Sequence, residues 1–174
     1  VKKTFIQLYK KKIIYKDTRL VNWDTKLETA ISDLEVEQRE VQSNLYYIKY
    51  KIDDENNFLT IATTRPETML GDTAVAVNPN DDRFRNYIGK KITVPIVDRK
   101  VKIIADDYVS IEQGSGALKV TPAHDFNDFE IGKRHRLESI NIFEKNGKLN
   151  NNVPNDFIGL DRFEARAIII KILK

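Results

Sequence analysis

Leu45-Tyr46-Tyr47-Ile48-Lys49-Tyr50-Lys51-Ile52, then Asp53-Asp54-Glu55-Asn56-Asn57, then Phe58-Leu59-Thr60-Ile61-Ala62-Thr63: two runs rich in β-branched and aromatic residues flank a polar turn. Alternation of apolar side chains with lysine in the first run is the period of a half-buried strand, and the turn formers between the runs close a hairpin. Further strands are expected at Ala74-Val75-Ala76-Val77, Lys91 to Ile96, Lys100 to Ile104 and Ala117-Leu118-Lys119-Val120. Pro95 marks the second of these as an edge strand or a bulge, because proline cannot donate to a sheet ladder.

Helices are fewer. Residues 3 to 15 set Phe5, Ile6, Leu8, Tyr9 and Ile13 at helical spacing among lysines, an amphipathic pattern. Residues 18 to 42 read as an extended connector, with strand-like alternation in Leu34-Glu35-Val36-Glu37. A helix is expected from Asp125 to His135, with Asp125 as N-cap and Lys133, Arg134 and His135 in the last turn, where cations are favoured. Another, from Phe163 to Lys174, is apolar enough to need a partner surface. Asn146 to Pro154 reads as an exposed turn. Many strands with few helices give an α+β fold, mostly β, built as a curled sheet or β-barrel with a few flanking helices.

Composition sets limits on function. The 174 residues are 41% apolar and 32% charged with a net charge of +3, a balance that suits one globular domain and is too weakly basic to mark a nucleic-acid binder by itself. The lysine cluster at the N-terminal end reads as a solvated helix face. No apolar run nears the length of a membrane span, so no membrane partner and a cytoplasmic location are expected. With no cysteine and two histidines, no disulfide or zinc site is expected. A first residue of valine reads as a piece of a longer chain.

The chemistry concentrates in two segments. Thr63-Thr64-Arg65-Pro66-Glu67-Thr68 follows a strand, and Lys119, Thr121, His124, Asp125 and Asp128 crowd the exit of another, a common place for a ligand site. No phosphate loop, dinucleotide fingerprint or His-Glu-x-x-His helix is present. Gly114-Ser115-Gly116 lacks the strand-to-helix setting of a nucleophile elbow, so Ser115 reads as a turn residue. Asp125 and Asp128 read equally well as helix caps, and His124 as a packing residue at the helix start.

Ala62 to Pro79, Leu118 to His135, Leu20 to Trp23 and Thr29 to Val36 together resemble the editing domain inserted in the catalytic core of the valyl-tRNA synthetases. The likeness divides the chain into a connector from the parent core (1–42), the editing domain (43–160) and a helix returning toward that core (161–174). It implies hydrolysis of misacylated threonyl-tRNA(Val). The partners implied are the tRNA(Val) 3′ acceptor end, misactivated threonine and the rest of the synthetase. Asp128 would hold the substrate ammonium, and Asp125, Thr121 and Lys119 would read the threonine hydroxyl or place the water and the developing oxyanion. Thr63, Thr64, Arg65 and Thr68 would line the pocket and the terminal adenosine. No cofactor is implied for the fragment; ATP belongs to the parent enzyme. Editing for an isoleucyl or leucyl sibling, a free-standing deacylase and a non-catalytic acceptor-end binding module are the other readings.

Overall fold

The computed structural model describes residues 1–53 and 55–174. The opening hairpin forms as the alternation dictates: β3 (Tyr46–Ile52) pairs antiparallel with β4 (Phe58–Thr63), Ile48 opposite Ile61 and Tyr50 opposite Leu59. Of the turn expected over 53–57, Asp54 lies outside the described residues. Before this hairpin stand α1 (Lys2–Lys10), β1 (Asn22–Asp24) and β2 (Thr29–Ile31); after it come β5 (Ala74–Val77), β6 (Lys91–Val94), β7 (Arg99–Ala105) and β8 (Ala117–Val120).

Six of these strands make one sheet in the order β4-β3-β6-β7-β5-β8, antiparallel throughout except for the parallel pair β5–β7. The outer strands β4 and β8 come to lie against each other, so the sheet curls into a nearly closed barrel. Its inward residues, among them Tyr50, Ile52, Leu59, Ile61, Ile92 and Ile103, are at most 1% exposed. Ala74 to Val77 is buried on both faces, the mark of a central strand.

Four local expectations give way to specific physical causes. Pro95 is no edge or bulge: β6 is paired on both sides, and the proline follows it in a tight turn where Val97 N–H donates to Pro95 O at 2.8 Å. Leu34 to Glu37 is no strand. The carboxylate of Glu35 accepts both the backbone N–H and the hydroxyl of Ser32, at 2.7 and 2.9 Å, and this Ser-x-x-Glu box winds 33–35 into a 3-10 turn. Within the expected connector, β1 and β2 form a small hairpin whose Trp23 Nε1 donates to Lys145 O at 2.8 Å. The loop Asn146 to Pro154 is only partly exposed: Asn146, Lys148, Asn151 and Asn152 face solvent, but Leu149 and Val153 join the main core. Asn150 makes that burial possible by donating its side-chain amide to Asn141 O at 2.9 Å, which satisfies backbone polarity inside the loop.

Two further helices flank the barrel. α2 (Phe126–His135) packs so closely that a Cβ on Gly132 would stand 2.8 Å from Pro122. α3 (Arg162–Ile172) finds its partner surface on the 3-10 segment Pro66–Gly71. Ala165 and Ile169 are fully buried there, and Arg166 grips Glu67 with two 2.7 Å hydrogen bonds. By contrast α1 buries no residue.

Candidate functional site

Where β4 and β8 meet, the barrel opens into a cleft of about 670 Å³. All eight candidates read from the sequence line it: Thr63, Thr64, Arg65 and Thr68 from the end of β4 and the turn that follows, Lys119 and Thr121 from β8, Asp125 and Asp128 from the start of α2. Tyr108, Gln113 and Ser115 are among the other residues of the wall. Ser115 is a turn residue as expected, its hydroxyl donating to Ala117 O at 3.1 Å.

Two of the hydroxyls in the cleft have a fixed polarity. Thr68 donates its proton to Arg65 O at 2.9 Å, and Thr121 donates its proton to Asp72 at 2.6 Å while accepting from the Lys119 ammonium at 2.5 Å. A hydroxyl carries one proton, so toward a ligand both threonines can only accept. The carboxylates of Asp125 and Asp128 add acceptors, so this part of the cleft suits a ligand group that carries N–H and O–H donors.

The carboxylates are held differently. Asp125 is the N-cap of α2, its Oδ1 accepting from the backbone N–H of Asn127 at 2.9 Å and of Asp128 at 3.2 Å. Asp128 Oδ2 accepts from the backbone N–H of Thr121 at 2.9 Å, which ties the helix to β8. Burial pushes the Asp128 carboxyl up to about 6, against the opposing pull of the Lys119 ammonium and the Thr121 N–H and with a further push from Asp125 and Asp72. A carboxylate that costs this much to ionise is poised for a cation.

Beneath the cleft floor sits Asp72, a residue the sequence reading passed over. It is fully buried and takes hydrogen bonds from Tyr50 Oη at 2.7 Å, Thr121 Oγ1 at 2.6 Å and Lys119 Nζ at 3.2 Å. Burial raises its carboxyl, and those donors work against the rise. Gly71 lets this segment approach, since a Cβ there would lie 3.0 Å from Ile140 O and 3.2 Å from Thr121 Cγ2. Arg99 holds the segment from the other side, donating to Leu70 O and Asp72 O at 3.0 Å each.

His124 is no general base. Its Nε2 accepts from the backbone N–H of Ile142 at 3.0 Å, and its ring packs edge-on against Phe143 with centroids 4.8 Å apart. Burial, helped by the charges of Arg65 and Lys119, holds it down to about 3, so it is neutral with that lone pair already spent. Arg65 reaches across to its backbone, donating to His124 O at 2.9 Å and joining the two motifs directly. Among the described residues, no cluster of three or more His, Cys, Asp or Glu could hold a metal, and no helix is long and apolar enough to cross a membrane.

Comparison with known proteins gives a consistent picture. The family described as tRNA synthetases class I (I, L, M and V) matches residues 1–169. Over all 174 residues the chain is 66% identical to a valine–tRNA ligase of Pelagibacter ubique (strain HTCC1062), covering 20% of that protein. It is 57% identical to the valine–tRNA ligase of Legionella pneumophila (strain Lens), covering 19%, and 55% identical to that of Staphylococcus haemolyticus (strain JCSC1435), covering 20%. The chain thus spans about a fifth of the length of the curated relatives it matches. A solved LeuRS of Agrobacterium radiobacter K84, in a ternary complex with tRNA and LeuAMS, has the same fold. The TM-score is 0.59 at 19% identity, over 73% of this chain and 18% of that one.

Proposed function

Because this chain belongs to the class I tRNA synthetases, we propose that its cleft hydrolyses the ester of misacylated threonyl-tRNA(Val), as the editing domain of a valine–tRNA ligase. The observation that carries this reading is the cleft at the β4–β8 seam, where two carboxylates and two acceptor-only hydroxyls face one space. A threonyl ester presents the matching donors, an α-ammonium and a side-chain hydroxyl. A valyl ester presents only the ammonium, and binding it would leave buried acceptors unpaired. An apolar synthetic pocket tells the two amino acids apart only weakly, which is the reason a second site is needed.

In this reading Asp128 takes the ammonium, and the threonine hydroxyl donates its one proton to the acceptor pair formed by Thr121 and Asp125, to one of them at a time. Water adds to the ester carbonyl carbon, the carbon–oxygen bond to the ribose breaks, and the ribose oxygen leaves with a proton. Lys119 and Arg65 supply positive charge for the oxyanion that forms on the way, and Thr63, Thr64 and Thr68 shape the wall on the adenosine side. Positioning and charge stabilisation suffice for an activated ester, so no serine or histidine nucleophile is needed. ATP would serve the synthetic reaction of the longer protein and has no role in this cleft.

The test is release of threonine from threonyl-tRNA(Val), compared with valyl- and isoleucyl-tRNA. The threonyl ester should be cleared at least about a hundredfold faster than the valyl ester. Thr68→Tyr, which fills the cleft from its wall, should abolish hydrolysis while the chain still folds, with a loss of stability of about 1–3 kcal/mol because Thr68 is only 2% exposed. No release from any of the three esters would send the reading back to a binding module, equal rates on all three would remove the threonine specificity, and an active Thr68→Tyr variant would place Thr68 outside the site.

A further inference from the structure

The outer face of the barrel carries charge that the cleft does not explain. Strand alternation sends Tyr47, Lys49 and Lys51 outward from β3, Lys91 from β6, and Lys100 and Lys102 from β7, all exposed. The register sets Lys51 opposite Thr93 and Thr93 opposite Lys100, then Lys91 directly opposite Lys102. Directly opposed like charges weaken a sheet. The carboxylates among the described residues here are few: Asp53 pairs with Lys100 at 2.8 Å, and Glu55 pairs with Lys90 at the rim. Lys49, Lys51, Lys91 and Lys102 stand outside both pairs.

This face runs directly into the cleft. Tyr47, 62% exposed, is the cross-strand partner of Ala62, and both Ala62 and Leu45 line the cleft wall. Neighbouring lysines on such a face stand about 5 Å apart across strands and about 7 Å apart along one, a two-dimensional array suited to repeated anions.

We infer that the outer face of β3, β6 and β7 is a docking surface for the sugar–phosphate backbone of RNA, receiving the acceptor arm of the molecule whose 3′ end enters the cleft. The identity of that RNA rests on the proposed function. The surface itself rests on the lysines that stand outside the two ion pairs, of which Lys91 feels Asp53 only at longer range, and on their continuity with the cleft mouth. Phosphate contacts of this kind position a nucleic acid without reading its sequence. The lysines accept mutual repulsion in the free protein, and the polyanion relieves it.

The experiment measures binding rather than hydrolysis, so its result stands whether or not the ester is cleaved. A fluorescent hairpin RNA with an unpaired 3′ end is titrated at several salt concentrations against three proteins. These are the unmodified chain, a variant carrying Lys49→Gln, Lys51→Gln, Lys91→Gln and Lys102→Gln, and a variant carrying Lys2→Gln, Lys3→Gln and Lys10→Gln on α1 and Lys11→Gln at its C-cap. Both variants lose the same charge. The face variant should bind at least about tenfold more weakly at low salt, with its log–log salt slope smaller by about 3, while the α1 variant keeps most of both. Its melting temperature should hold or rise, since opposed charges are removed. It should also cleave threonyl-adenosine, which has no arm, at the unmodified rate. Equal losses in the two variants would reduce the effect to net charge, and no loss in the face variant would leave the lysines as a solvated surface; either result overturns the inference.

Discussion

Asp128→Asn should clear threonyl-tRNA(Val) at least about a hundredfold more slowly than the unmodified chain and melt at the same temperature or slightly higher. Asparagine keeps an oxygen to accept the Thr121 N–H now bonded at 2.9 Å, so the tie between α2 and β8 survives. What goes is the negative charge that would face the ammonium. The pH dependence separates this role from helix capping. In the free protein Asp128 ionises near 6, so kcat/KM of the unmodified chain should fall below about pH 6, and the asparagine variant should lack that limb. Stability runs the opposite way. A folded-state value raised above the unfolded one contributes stability at low pH that is lost as pH rises through about 6, so the charge is carried at a cost above neutrality and its removal is neutral or stabilising there. Rates from pH 5 to 8 and melts at pH 7.5 check both halves. An asparagine variant as fast as the unmodified chain would leave Asp128 with a structural role alone.

The second large effect belongs to Asp72. Three donors converge on its carboxylate, and an asparagine there presents an amide N–H₂ to at least one of them. Lys119, 6% exposed, then loses its ion-pair partner and keeps only the longer-range pull of Asp128. Breaking a buried pair in this way costs about 3–5 kcal/mol, and Asp72→Asn should lower unfolding stability by roughly that amount. It should also slow hydrolysis, because the Lys119 ammonium and the Thr121 hydroxyl that line the cleft are no longer anchored by a carboxylate. Tyr50→Phe removes one of the three donors without touching the charge and should cost about 1–3 kcal/mol. Urea titration and threonine release measure both variants. A normal midpoint together with normal hydrolysis in Asp72→Asn would make the network incidental.

The contrast between Asp128 and Asp72 shows what a linear sequence displays. Asp128 sits in a crowd of polar residues at a strand exit, and both its segment and the threonine-rich one are visible as unusual clusters. Asp72 lies in Gly71-Asp72-Thr73, which locally reads as a turn; its partners Tyr50 and Thr121 are 22 and 49 positions away. Only the barrel brings them together. The strands themselves were legible, because alternation and β-branched runs are local properties. The parallel pairing of β5 with β7 and the meeting of β4 with β8 were not, since register between distant strands is set by the closed core. Local signals also compete: the Ser32-x-x-Glu35 box was present in Leu34's neighbourhood, yet the apolar alternation there suggested a strand. Asn150 could satisfy a buried loop only once that loop had folded back on Asn141.

The seam between β4 and β8 has a consequence for how activity is lost. One wall of the cleft comes from the end of residues 58–63 and the other from residues 117–120 and the helix after them, and these walls face each other only in the closed sheet. Neither wall by itself makes a working site. The β3–β4 hairpin can persist on local contacts, but a barrel opened at the seam has no cleft. Hydrolysis is therefore a readout of closure itself. Along a urea series, threonine release and the β-sheet circular dichroism should vanish in one transition, and activity fading ahead of the sheet signal would mean that the seam opens as a separate step.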